Sequence, residues 1–434
     1  MKVGILTGTR PDIIKMAPIY WEAKKRGHTA VLIHTGQHYS SHLFGGVYES
    51  MEMPEPSHLL ETGECKSPAE SLGKMVLAID KLARETEKGI EILLVHGDTL
   101  TSMAGALSGY LNLVPVGHVE AGLRTFSREP FPEQLDTRCS DAASDIYFAA
   151  TQTNADNLRN EGFGKDRIFV VGNTVVDAAV WASKKGEGGN GFFKKHGVDF
   201  SKPTVYFSIH RRETTMDRGR FLAAAEGAMA LADKGYCVVW SIRPGTKVAI
   251  KNFGLEDELK KHPNLHLIEE IPSYPHIMYL AKKCRFICTD SGSMQEEACA
   301  LHVPCITVRY VTDRPESVEA GANILAPPVN AQSIVSAAEY VEKNHAKMCG
   351  AKNPYGDGNS AKLIFDAIEK WEGRLVSFEH QKKGAATEKN AGPAQGAWEN
   401  NAKATPGAKN GKNAGDGNAT EGESGAMHEK GDGK

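Results

Sequence analysis

The sequence predicts an α/β fold built from two doubly wound parallel-sheet domains that face each other across a cleft. Short apolar runs alternate with amphipathic helical stretches along most of the 434 residues, the pattern of a parallel sheet covered on both faces. The alternation restarts after a glycine-rich break at Gly186–Gly191. Charged and hydroxyl residues recur where strands should end, which is where open α/β sheets bind ligands.

The first set of strands is expected at Lys2–Leu6, Ala30–His34, Ile92–His96, Val114–Val119, Ile146–Ala149 and Ile168–Val171, with helices such as Asp12–Arg26, Pro68–Thr86 and Thr101–Leu111 between them. The second set is expected at Thr204–Ser208, Cys237–Ile242, Leu265–Ile268, Phe286–Cys288 and Cys305–Val308, with helices near Arg218–Asp233, Pro275–Lys282 and Met294–Leu301. These runs place a first domain at 1–185 and a second at 192–359. From Glu379 to the end there is no Val, Ile, Leu or Phe. Such a segment buries too little apolar surface to offset its ordering entropy, so 379–434 reads as a disordered tail.

Composition narrows the partners. Lys and Arg total 51 against 54 Asp and Glu, so no basic field argues for nucleic acid and any anion binding must be local. The eight cysteines (65, 139, 237, 284, 288, 299, 305 and 349) include no Cys-x-x-Cys pair. They read as reduced thiols of a cytoplasmic protein. His38 and His42 have the spacing of a zinc pair, but the third ligand and the glutamate of a helical zinc motif are missing, so no metal is expected. No apolar stretch approaches the roughly 18 residues of a membrane span.

The opening segment KVGILTGTRP is an apolar strand that breaks into a Gly-Thr-Arg-Pro turn and then a helix. Gly8 suits a tight turn, Arg10 can fork onto phosphate, Pro11 fits the first helical position, and Lys15 lies one turn further on the same face. A matching half follows Phe286–Cys288, where Thr289-Asp290-Ser291-Gly292-Ser293 leads into a helix near Met294 that carries Glu296 and Glu297. Backbone N–H groups and the Ser291 hydroxyl can meet a phosphate there, and a carboxylate can accept from ribose hydroxyls. The plain alternative is that Asp290 and Ser291 only cap the helix and the glutamates complement its dipole. Neither turn carries Gly-x-Gly-x-x-Gly, so one nucleoside diphosphate fits better than a dinucleotide cofactor.

Four acid/base groups sit at other predicted strand ends. Asp98 lies in VHGDT, Glu120 in GHVEAGLRT, Glu133 in EPFPEQ and His210 in HRRET. Each has a plain account: Asp98 as a helix cap, Glu120 as partner of Arg124, His210 as a satisfied core imidazole. Together they converge on one cleft as proton-transfer groups.

In this order and spacing, GTRPDIIKMAP, VHGDT, GHVEAGLRT, the PE of FPEQ, GNTVVD, HRRE, TDSGSMQEE, the DRPE of TDRPESVEAG and NPYGDG resemble the non-hydrolysing UDP-N-acetylglucosamine 2-epimerases over about residues 1 to 372. The resemblance implies two Rossmann-like domains in a type B glycosyltransferase-like arrangement, with a final helix at 360–374 packing back on the first domain. It implies reversible inversion at C2 of UDP-GlcNAc to UDP-ManNAc, by elimination of UDP to 2-acetamidoglucal and re-addition, without NAD and in a homodimer. It places Arg10, Lys15, Ser291, Gly292, Glu297 and Arg314 around UDP, and Asp98, Glu120, Glu133 and His210 at the sugar. Arg314 enters by resemblance alone; by itself it reads as a surface arginine. Three departures stand out. Ser293 replaces a glycine; Gln134, Asp136 and Thr137 stand where the family has Glu and then Asn-Arg; and Arg243 aligns with a histidine tied to substrate activation in bacterial relatives. The alternatives are a hydrolysing epimerase that releases free ManNAc and UDP, an epimerase of a UDP-diacetamido-uronic acid, a type B glycosyltransferase, and a nucleotide-sugar sensor.

Overall fold

A computed structural model of the chain describes residues 1–37, 41–60, 62–63, 65–85, 89–126, 132–186 and 189–371. His38, the side chain of His42 and the 379–434 tail lie outside this set.

Thirteen strands among the described residues form two sheets. The first contains β1 (Lys2–Thr7), β2 (Thr29–His34), β3 (His58–Leu59), β4 (Ile92–His96), β5 (Val116–Ala121), β6 (Ile146–Ala149) and β7 (Ile168–Val170) in the order 3-2-1-4-5-6-7. The second contains β8 (Thr204–Ser208), β9 (Cys237–Ser241), β10 (Leu265–Ile268), β11 (Phe286–Thr289), β12 (Cys305–Thr307) and β13 (Asn323–Leu325) in the order 10-9-8-11-12-13. Every pairing is parallel. In each sheet the order reverses beside the first strand, between β1 and β4 and between β8 and β11. Such switch points leave a crevice at the strands' carboxyl ends.

The strands are buried on both faces, so they read as unbroken apolar runs. The helix Thr174–Lys185 packs on four others, Arg10–Lys25, Tyr274–Lys283, Gly292–Leu301 and Ser360–Lys370, and so joins the elements around one sheet to those around the other. The final helix, Ser360–Lys370, lies against Arg10–Lys25, where Arg26 pairs with Asp366 at 2.7 Å and Glu369 at 2.9 Å. The glycine-rich break carries the short helix Gly189–Lys195, because Gly189 lets the backbone close on the Tyr279 ring.

The turns depart from the sequence expectation in instructive ways. Arg10, not Pro11, is the first helical residue, and Thr9 and Asp12 close a reciprocal cap: Thr9 N–H donates to Asp12 Oδ2 at 3.0 Å. Gly8 has no positive φ; it is needed because a Cβ there would strike the hydroxyls of Thr101 and Thr35. Between Val119 and Ala121 the β5–β6 register slips, and Glu120 sits at φ 65°. All eight cysteines are free thiols, and five are buried. No helix among the described residues is long and apolar enough to cross a membrane.

Candidate active site

The two switch points carry the ionisable residues. Glu120 is the hub. Its Oε2 accepts from Lys15 Nζ at 2.7 Å and lies 2.8 Å from His96 Nε2, while Oε1 accepts from Arg314 Nη2 at 2.7 Å and Asn173 Nδ2 at 3.0 Å. Burial alone would raise this carboxyl, but Lys15, Arg314 and His96 outweigh it and hold Glu120 well below the carboxylate range. Gly97, at φ 65°, leaves room for it, since a Cβ there would come within 3.2 Å of Glu120 Oε2. Arg124, the partner suggested by spacing, is instead 2.8 Å from Asp141 and 2.6 Å from Glu161.

Arg314 is 3 % exposed, contrary to its reading as a surface arginine. Besides Glu120 it reaches Glu296 Oε1 at 3.1 Å and Asp313 Oδ2 at 2.5 Å, and its guanidinium lies over Gly292. Asn173 Nδ2 also donates to Glu296 Oε1 at 2.8 Å, so one amide ties β5 to the helix Gly292–Leu301. That helix starts two residues before the expected Met294 and is capped by Ser291, whose Oγ accepts from Met294 N–H. Asp290 does not cap it. Its carboxylate accepts the backbone N–H of His210 and Arg211, at 3.0 and 2.9 Å. Burial raises it to about 6 against those donors. Glu296 and Glu297 point inward rather than toward the helix dipole, and Glu297 Oε1 accepts from Tyr274 OH at 2.8 Å.

Arg10 makes no ion pair among the described residues. Burial and the facing Arg243 push its guanidinium down to about 10, with Glu297 and Tyr274 close by. His210 shares Arg243 with Arg10, and its Nδ1 lies 3.2 Å from Asp290 Oδ1. Burial, then Arg243, Arg211 and Arg309, keep its imidazole well below the usual range, so it is neutral at pH 7.

The third group is acidic. Thr99, not Asp98, caps the helix Leu100–Leu111, which leaves the Asp98 carboxyl out of the turn. Burial and then Glu120 raise it. Glu133 opens the helix Glu133–Ala142, and its Oε1 accepts from Arg211 Nη1 at 2.6 Å. Burial and the charge of Asp98 raise Glu133 despite that arginine. Asp136, one turn along, is pushed up to about 7 by burial, Asp98 and Glu133.

The residues singled out in the sequence therefore form one connected neighbourhood. It runs from Arg10 through Glu297 and Lys15 to Glu120, then to Arg314 over Gly292 on one side and to Asp98, Glu133 and Arg211 beside His210 on the other. Lys15 pairs with Glu120 at 2.7 Å and lies 4.0 Å from Glu296. Sequence reasoning passed over His96, Asn173, Arg211, Tyr274 and Asp136 as site residues. The first three lie inside the motifs VHGDT, GNTVVD and HRRE, next to residues that were chosen.

The profile described as UDP-N-acetylglucosamine 2-epimerase matches residues 22–369. The chain belongs to the UDP-N-acetylglucosamine 2-epimerase family. The epimerase of Methanocaldococcus jannaschii is 38 % identical over 370 residues, spanning 84 % of this chain and 98 % of its own. That of Bacillus subtilis is 33 % identical over 376 residues, 85 % of this chain and 95 % of its own. The crystal structure of the M. jannaschii epimerase with UDP-GlcNAc and UDP superposes with a TM-score of 0.77 at 36 % identity, covering 86 % of this chain and all of that one (100 %). The Neisseria meningitidis epimerase bound to UDP-GlcNAc gives 0.77 at 30 % identity, again over 86 % of this chain and 100 % of its own. The family's type B glycosyltransferase-like pair of parallel sheets is the one seen here.

Proposed function

We propose that this epimerase interconverts UDP-N-acetylglucosamine and UDP-N-acetylmannosamine by eliminating UDP to 2-acetamidoglucal and adding it back, without hydrolysis. The observation that supports this most is the placement of Arg10 and Arg243, neither of them in an ion pair among the described residues, beside Glu297, with Arg243 also next to His210. The C2 hydrogen of a hexose is not acidic, so a carboxylate can take it only as the C1–O bond breaks. Breaking that bond puts negative charge on the β-phosphate and oxocarbenium character on the ring. Arg10, Arg243 and the N–H groups at Ser291 and Gly292 take the diphosphate, and Glu297 with Tyr274 faces the ribose. Lys15 and Arg314 set the local field through Glu120.

Two proton-transfer groups on opposite faces of C2 are the minimum for inversion. Asp98 and Glu133 suit that task, because burial raises both above the usual carboxylate value and Glu133 Oε2 has no hydrogen-bond partner among the described residues. Glu120 stays ionised among its cations and stabilises the developing positive ring. His210, neutral, donates to the departing phosphate. The halves 1–185 and 192–359 close around the glucal to exclude water.

The test is NMR of UDP-GlcNAc incubated with the enzyme in deuterated water. Deuterium at C2 of sugars still linked to UDP supports the proposal. Free ManNAc and UDP would establish hydrolysing chemistry instead, and unlabelled substrate would defeat both.

Homodimer formation is part of the same proposal. Leu77, Tyr110, Leu111 and Leu113 are exposed on the paired helices Pro68–Glu85 and Leu100–Leu111 and the turn that follows. The dimer should dissociate in light scattering on Leu111→Asp. The free thiols fit a reducing compartment.

A further inference from the structure

Glu133 and Asp136 lie three residues apart on the helix Glu133–Ala142 and so share a face. The Asp136 carboxyl is enclosed at 2 % exposure, yet its Oδ1 has no hydrogen-bond partner among the described residues, and neither does the hydroxyl of Thr137 at 0 %. Hydroxyl groups hold this helix against the turn that bears Asp98. Ser140 Oγ lies 2.8 Å from the Asp136 carbonyl and 3.1 Å from Ser102 Oγ, which is 3.1 Å from the carbonyl of Gly97.

The charges around Asp136 are unbalanced. The helix Leu100–Leu111, packed against it, brings no ionisable side chain except Tyr110, which is 62 % exposed at its far end. From β5, Glu120 is occupied by its own cations and His118 lies 2.7 Å from Asp141. Cys139 on the same helix is uncharged, its thiol raised by burial and by Asp136. Among the described residues Arg211 is paired with Glu133, and Arg314 and then Arg211 act on Asp98 from a distance. Asp136 itself has no paired cation among the described residues, and carboxyls this close oppose one another's ionisation.

Building on the proposed epimerisation, we propose that Asp136 is a positioning residue that shares a proton with Asp98 and Glu133 and so determines which of them meets the sugar protonated. Asp136 does not touch the sugar. It acts by holding charge or a proton beside the two groups that do.

The experiment compares pH profiles of kcat and KM for UDP-GlcNAc in the wild type, Asp136→Asn and Asp136→Glu. Asp136→Asn removes the shared charge at constant shape. Both limbs of the kcat profile should then move to lower pH by roughly one unit, with KM unchanged, and Asp136→Glu should move them back toward the wild-type position. A superimposable profile, or a uniform loss of kcat with raised KM, overturns the proposal. Infrared spectra of the unliganded wild type should show a protonated-carboxyl band at pH 6 that weakens in Asp136→Asn, and an unchanged band would also refute proton sharing. Should Asp136→Asn fail to fold, the same profile and band are read from Asp136→Ser and Asp136→Glu. A wild type that forms no UDP-ManNAc refutes the epimerisation itself, whereas the infrared band reports on proton sharing independently of turnover.

Discussion

Replacing Asn173 by aspartate separates two jobs that one side chain performs. The Asn173 Oδ1 accepts from Val175 N–H at 3.0 Å and caps the helix Thr174–Lys185, a task aspartate does as well. The amide Nδ2 donates to Glu120 at 3.0 Å and to Glu296 at 2.8 Å, both side chains being 1 % or less exposed. Each such bond to a buried carboxylate contributes about 1.5–3 kcal/mol, so removing both costs about 3–6 kcal/mol. A carboxyl between two carboxylates also keeps its proton far above the unfolded value of about 3.9. A folded-state pKa raised in this way makes the variant lose stability as pH rises above that value, by about 1.4 kcal/mol for each tenfold gain in the carboxyl's hold on its proton. Protonated, the new acid can still donate to one glutamate. Urea unfolding followed by tryptophan fluorescence at pH 5 and pH 8 should therefore show a deficit for Asn173→Asp that widens with pH. Asn173→Ala should show a deficit with no added pH dependence and about 1 kcal/mol more from the lost cap. A wild-type midpoint for Asn173→Asp at pH 8, or a deficit equal at both pH values, would refute the bridging role.

Gly8→Ala should lose about 1–3 kcal/mol from overpacking against Thr101 and Thr35, whose hydroxyls are 2.8 Å apart; an unchanged denaturation midpoint would contradict it. Arg10→Ala and Arg243→Ala should each weaken UDP about 10- to 100-fold in calorimetry, at about 1.5–3 kcal/mol per charge-assisted contact, while leaving the melting temperature equal or higher because the two cations oppose each other. Retained affinity would remove the diphosphate from this end of the cleft. His210 is depressed by burial and then by the neighbouring arginines, and a diphosphate that neutralises those arginines should raise it. UDP binding near pH 6 should therefore take up a proton and strengthen as pH falls, seen as a buffer-dependent binding enthalpy that His210→Asn abolishes.

Much of the architecture was legible because buried parallel strands are short apolar runs with nothing to disguise them. Two strands escaped, β3 and β13, with two and three residues at the sheet edges, too short to show a period. The site was legible to the level of motifs, since polar residues just after apolar runs mark the strand ends. Partners were less readable. Asp98 lost the cap to Thr99 because Thr99 and Ser102 serve each other, their N–H and hydroxyl groups meeting at 3.2 Å. Glu120 passed over Arg124, four residues away, for Lys15 and Arg314, which the chain brings from 105 and 194 residues away. Spacing along one element cannot foresee contacts made between sheets. Asp136 was visible only as a departure from a motif; its unpaired oxygen depends on how its helix docks.

The slipped register in β5 has a lasting consequence for how this enzyme can change. Glu120 holds a backbone shape that glycine adopts freely and a glutamate resists. Mutation to glycine would relax the peptide while emptying the centre of the ion network, leaving Lys15 and Arg314 with Glu296 as the one anion they still share among the described residues. Local comfort and chemical competence are thus opposed at a single codon, and drift toward an easier backbone ends in a protein that folds around the wrong charges.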